Sequence, residues 1–271
     1  MHAQSLIALT FCQLLVLAPA QASQKAAPLV IGETFTLQSK VLNETRRINV
    51  YLPPGYAESA GQRFPVLYMP DGGLAEDFLH VAGLVQVSVG NGTMRPFVLV
   101  GIENTERRRD LTGPTQNEAD KKIAPRVGGS ATFRQFLRDE LMPDVQARYR
   151  TTGETAIVGE SLAGLFVIET FLLEPDLFDT YIAIDPSLWW NDGALASSAP
   201  ERLRQHSKLD QWLWFSSSGE ERGDGTERLA AALQAYTPPG LLWRLEKMPQ
   251  EKHSTIYHPA ALMAFRAVFK P

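Results

Sequence analysis

Thr155-Ala156-Ile157-Val158-Gly159-Glu160-Ser161-Leu162-Ala163-Gly164-Leu165-Phe166 is the stretch on which the reading of this chain turns. Its first residues form a short apolar run of the kind that fills a buried strand, and Leu162–Leu173 is apolar nearly all round, as expected of a helix packed against a central sheet. Between the two lies a tight turn with Ser161 at its apex. In such a nucleophile elbow the residues two before and two after the serine must be small, because strand and helix approach closely there. Gly159 and Ala163 meet that need, although alanine stands where a second glycine is usual. The string alone is weak, and context separates it from the other Gly-x-Ser, Gly128–Ser130, which no strand precedes. Ser161 is therefore expected to be a nucleophile; the bland alternative is a helix N-cap.

Outward from this turn, apolar strand-like runs alternate with helix-like stretches and no repeat or long linker interrupts them, which predicts an α/β fold. Eight strands are expected: Thr34–Lys40, Arg46–Leu52, Pro65–Met69, Phe97–Glu103, Thr155–Gly159, Tyr181–Ile184, Trp212–Ser216 and Leu241–Glu246. The first two, separated by Asn43-Glu44, should form a hairpin, and the later ones, separated by helices, should pair in parallel. The fold class predicted is thus a mostly parallel central sheet of about eight strands flanked by helices. Thr132–Tyr149 carries Phe133, Phe136, Leu137, Leu141 and Val145 at spacings of three and four, an inward stripe that Pro143 is expected to kink. Gly225–Tyr236 and Pro259–Phe269 are more amphipathic and should cover the outer faces. Asn104–Ser130, rich in Arg, Asp, Gly and Pro, reads as a long loop.

Composition narrows the class further. The 271 residues are 44% hydrophobic and 21% charged, enough apolar material for a sizeable core and unlike a disordered chain. Twenty-six basic against thirty acidic residues leave a net charge of −4, which disfavours nucleic-acid binding. Leu6–Leu17 is mostly apolar and Ala20-Gln21-Ala22 has the small-x-small pattern of a signal-peptidase site, so residues 1–22 are expected to be a signal peptide and 23–271 one exported domain, periplasmic or secreted. The single cysteine, Cys12, falls in the removed segment, and no later run is long enough to span a bilayer. Oligomeric state is not legible.

A serine hydroxyl needs a base, and the order expected in this fold is Ser, acid, His. His253, in the polar loop before the final helix, is the favoured base, with His258 behind it. The third member should lie in the loop after the penultimate strand, where Ser217-Ser218-Gly219-Glu220-Glu221-Arg222-Gly223-Asp224 supplies three carboxylates. Glu221 is favoured, with Glu220, Asp224 and, after the preceding strand, Asp185 as alternatives. The tetrahedral oxyanion calls for two backbone N–H donors: Leu162, which follows the serine, and Gly73 of Pro70-Asp71-Gly72-Gly73, with Gly72 as understudy. No metal-binding cluster or dinucleotide fingerprint is present, so neither a metal nor a cofactor is expected.

Pro65-Val66-Leu67-Tyr68 with Asp71-Gly72-Gly73, Arg109-Asp110-Leu111-Thr112, Gly159 to Phe166, Asp185-Pro186-Ser187-Leu188-Trp189-Trp190 and Lys252-His253-Ser254 together resemble the putative-esterase branch of the α/β-hydrolase superfamily. That branch includes siderophore esterases, feruloyl esterases, S-formylglutathione hydrolases and mycolyl transferases. The resemblance covers most of residues 23–271 and departs from the pattern at Ala163 and in the unclear acid. It implies that Trp189 and Trp190 lie near the acyl pocket; otherwise adjacent aromatics often split, one to the core and one to the surface. Arg107-Arg108-Arg109 reads as a solvated loop or as an attractor of anionic substrates. The expected function is serine carboxylic-ester hydrolysis of a small-molecule ester through an acyl-enzyme. The rivals are an acyltransferase using the same site, a silent ligand-binding protein on the same scaffold, and a peptidase.

Overall fold

Runs of Val, Ile, Leu, Phe and Tyr build an eight-stranded sheet in the computed structural model, which describes residues 26–271. The expected signal peptide, residues 1–22, lies outside the described residues. Residues 32–271 form a single compact unit. Its strands are β1 (Glu33–Ser39), β2 (Glu44–Tyr51), β3 (Phe64–Pro70), β4 (Val98–Ile102), β5 (Thr151–Glu160), β6 (Thr180–Ile184), β7 (Trp212–Ser218) and β8 (Leu242–Met248), in the spatial order β1-β2-β4-β3-β5-β6-β7-β8. β1 and β2 form the expected hairpin, turning at Asn43 with φ +54°, and β2 also pairs antiparallel with β4. Every pairing from β4 across to β8 is parallel.

Burial explains the order. Every residue of β3, β4 and β6 is buried, as strands covered on both faces require, whereas β1 and β8 are largely exposed and take the edges. The helices are α1 (Phe78–Gly90), α2 (Arg107–Asp110), α3 (Glu118–Lys121), α4 (Ser130–Phe136), α5 (Met142–Arg148), α6 (Leu162–Leu173), α7 (Trp190–Arg204), α8 (Gly225–Ala235) and α9 (Tyr257–Val268). Alternate strand residues serve two cores. Val66, Tyr68, Ile157 and Phe215 face the layer containing α4 to α8, and Leu67, Met69, Val158 and Trp214 face α1 and α9. Each buried Leu, Ile or Phe contributes roughly 1.5–3 kcal/mol, so a register slip in a central strand would forfeit two cores at once. That fixes where the strand ends, and hence the loops, must sit.

Three expectations need adjustment. Asn104–Ser130 is not structureless, since it carries α2 and α3. The helix expected over Thr132–Tyr149 is interrupted as Pro143 requires, but by a widened π-turn at Leu137–Leu141 in which Met142 N–H reaches back to the Leu137 carbonyl. α1 and α7 are additional elements; α7 opens with Asn191, Asp192 and Gly193 in the left-handed region and carries Pro200 within it.

Candidate active site

β5 runs straight into α6, and Ser161 joins them with φ +60° and ψ −118°, a strained conformation for a residue with a side chain. A Cβ on Gly159 would lie 2.6 Å from the Ala163 carbonyl carbon and 2.7 Å from its Cβ, so glycine is required there and the alanine just fits. Three bonds hold the strained residue: Ser161 N–H donates to Ile184 O at 3.0 Å, and Ser161 O accepts from Leu165 N–H and Ser187 N–H, each at 2.9 Å.

The turn after β8 carries His253 to this apex. Its Nε2 is 3.0 Å from Ser161 Oγ and its Nδ1 is 2.6 Å from Asp185 Oδ2. Asp185 follows β6, is 4% exposed, and accepts from Ser218 N–H at 2.7 Å and Ser218 Oγ–H at 2.8 Å. Burial alone would raise its pKa, but the hydrogen bonds from His253 and Ser218 outweigh it and hold the carboxyl below its ordinary value. The Asp185 bond lifts the His253 pKa above its ordinary value against burial, with Glu160 adding to the rise. Ser187 Oγ sits 3.3 Å from Ser161 Oγ.

The carboxylate on His253 Nδ1 is therefore Asp185, and the expectation of Glu221 is corrected. Glu221 Oε1 instead accepts from Thr226 N–H at 2.9 Å, tying down the start of α8, and burial raises its pKa. Asp224 pairs with Arg228 at 3.3 Å, and Glu220 is exposed. His258 stacks near His80, with ring centroids 4.9 Å apart, rather than approaching the serine. The signal for Asp185 was its place at the end of a buried strand, opposite two buried serines on the neighbouring one.

Of the backbone donors, Leu162 N–H opens α6 and has no intrahelical partner. Gly72 N–H is used by Ile102 O at 2.9 Å. Gly73 N–H is engaged by Glu76 Oε2 at 2.7 Å, so its service as an oxyanion donor requires that carboxylate to swing away.

The two tryptophans split. Trp189 is half-buried and lines a cavity of about 290 Å³ with Ser161, Ser187, Arg222 and His253, the Arg222 guanidinium lying 4.4 Å from its ring centre. Trp190 is buried, donates through Nε1 to Gly113 O at 2.9 Å, and does not line that cavity, which corrects the expectation that both face the substrate. A larger cavity of about 590 Å³ lies by Arg138, Leu173 and His206, away from these groups. Among the arginines, Arg107 grips Asp71 with two bonds of 2.7 and 2.8 Å and Arg109 is bound to Glu44 and Asp110, which leaves Arg108 as the exposed one. Among the described residues, no group of three or more His, Cys, Asp and Glu is placed to hold a metal ion, and no helix is long and apolar enough to cross a membrane.

A mostly parallel eight-stranded sheet with a serine on the elbow after β5 and a histidine after β8 is the α/β-hydrolase fold, the acid here following β6 rather than the penultimate strand. The model of the family described as "Putative esterase" matches residues 39–264, and the chain belongs to that family. The chain is similar to the Bacillus subtilis ferri-bacillibactin esterase BesA, 30% identical over 55% of this chain and 56% of that protein. It is likewise similar to the siderophore triacetylfusarinine C esterase of Aspergillus fumigatus, 30% identical over 60% of this chain and 58% of the relative. The chain spans about half the length of these curated relatives. Among solved structures, an IroE-like serine hydrolase from Shewanella oneidensis superposes with a TM-score of 0.79 at 28% identity, covering 88% of this chain and 80% of the other.

Proposed function

We propose that the protein is a serine carboxylic-ester hydrolase, with Ser161 as nucleophile, His253 as base and Asp185 as the residue that orients the imidazole. The observation that carries the reading is the line of contacts from Asp185 Oδ2 through the His253 ring to Ser161 Oγ, 2.6 and 3.0 Å, at the apex of a strained turn. His253 Nε2 takes the proton as Ser161 Oγ attacks the ester carbonyl, and the oxyanion is held by Leu162 N–H and by Gly73 N–H once Glu76 has turned aside. The imidazolium then gives its proton to the leaving alcohol. Water, activated by the same histidine, releases the acid from the acyl-enzyme. Trp189 and Arg222 line the substrate cavity and favour a flat or anionic substituent there.

Siderophore esters come first among the proposed substrates, ahead of feruloyl and short acyl esters, a reading that the names of the relatives support. Export is part of the proposal, resting on Leu6–Leu17 and the Ala20-Gln21-Ala22 pattern. The test is intact-mass analysis of the protein recovered from its host and exposed to a fluorophosphonate. One adduct, mapping to Ser161 and missing in Ser161→Ala, is expected on a chain beginning near Ser23. A folded protein that takes no adduct overturns the serine mechanism, and an intact residue 1–22 segment overturns export.

A further inference from the structure

Glu160, the last residue of β5, places Oε1 3.3 Å from His253 Nε2, the same ring nitrogen that faces Ser161 Oγ at 3.0 Å. Its side chain is 16% exposed, so this is a nearly buried carboxylate beside the base and not a solvated surface charge. The imidazole thus lies between two carboxylates, Asp185 on Nδ1 and Glu160 on Nε2. Asp185 was among the alternatives to Glu221 for the acid; Glu160 had no place in the expected order of residues along the chain.

The groups around Glu160 leave His253 as its natural counter-ion. From the turn between β3 and α1 come Asp71 and Asp77, both of like charge; from α2 comes Arg107, whose guanidinium is already bound by both oxygens of Asp71. From the segment after β8 come His253 itself and Tyr257, a half-buried residue whose hydroxyl is shut off from water without a partner. A carboxylate surrounded by two like charges and one committed arginine gains most when the imidazole beside it is protonated.

We infer that Glu160 is a second carboxylate acting on His253, contacting the reacting nitrogen and setting the pH at which the base is free to accept the Ser161 proton. The inference rests on the reading that His253 is the base for Ser161. Once Glu160 has ionised it favours the imidazolium, so a further rise in pH is needed before Nε2 has a lone pair for the serine proton. During attack the proton moves from Ser161 Oγ to Nε2, and the Glu160 carboxylate, 3.3 Å away, stabilises the new positive charge on the ring without taking the proton. The proton then leaves with the alcohol. Burial, working against His253 and Arg107 and aided by Asp77 and Asp71, raises the Glu160 carboxyl to about 7, while the two carboxylates beside it raise His253, so the ionisation of each neighbour depends on the other.

The experiment is titration of the His253 ring nitrogens by NMR in the full chain and in Glu160→Gln, together with the pH dependence of p-nitrophenyl butyrate hydrolysis. Loss of the carboxylate is expected to lower the His253 midpoint by about one pH unit and to move the acid limb of the rate profile down with it, a tenfold change in the protonation equilibrium. Coincident midpoints in the two proteins overturn the inference. The NMR midpoint is read whether or not the protein turns over an ester, so failure of the esterase reading, seen as no hydrolysis and no serine adduct in the unaltered protein, is a separate result. Glu160→Ala gives the same readout through a smaller side chain should the glutamine variant fail to fold.

Discussion

Asp185 and Glu221 both line the cavity that His253 lines, yet only Asp185 is hydrogen-bonded to the imidazole. Asp185 is held by the backbone and hydroxyl of Ser218, so its oxygen is fixed toward Nδ1, whereas Glu221 spends its oxygen on Thr226. Asp185→Asn preserves the shape but offers the wrong tautomer partner, and kcat/KM for p-nitrophenyl butyrate is expected to fall by about 10³–10⁴-fold. Glu221→Gln keeps an oxygen for Thr226 and should stay within about threefold of the parent. Equal losses in the two variants would overturn this assignment. Ser161 and His253 were legible because each carries a local signal, the small residues flanking an elbow and a polar loop before the last helix. Asp185 was not singled out because a triad acid is defined by what lies across from it, and Ser218 is 33 residues away in the chain.

At the scale of elements, all eight strands were readable because each is a short apolar run bounded by turn residues, and burial on both faces leaves little room for another pattern. α1 and α7 were not. In α1, Gly83 and several valines blur the helical period, and in α7 the left-handed Asn191-Asp192-Gly193 and the internal Pro200 read as a turn. The turn leading into α1 has a consequence for chemistry. Glu76 N–H donates to Gly73 O at 3.0 Å while Gly73 N–H donates to the Glu76 carboxylate, a reciprocal arrangement like a capping box that stabilises the turn and occupies a donor the oxyanion needs. Glu76→Ala frees that N–H. Chemical denaturation of the variant should show a loss of about 1 kcal/mol, with kcat at or above that of the parent. A tenfold fall in kcat would instead give the carboxylate a part in the reaction.

For the whole molecule, the crowded carboxylates at the strand ends make stability depend on pH in a direction that follows from their shifts. Asp185 is held below its ordinary 3.8, so its contribution is present above that value and is lost as pH falls through the lower, folded one. Glu160 works the other way. Its folded value of about 7 lies above its ordinary 4.5, so between these limits the native chain binds a proton that the unfolded chain has released, and stability declines as pH rises. The shift corresponds to about 3 kcal/mol above pH 7, for a side chain that is nearly buried. Glu160→Gln cannot ionise and removes the decline. Calorimetric melting of the two proteins from pH 4.5 to 8.5 is expected to give similar midpoints at the acid end and a variant more stable by several degrees at the alkaline end. A constant difference across that range would mean that Glu160 ionises freely in the folded protein, and that the crowding of Asp71, Asp77 and Glu160 is relieved by water rather than by a proton on Glu160.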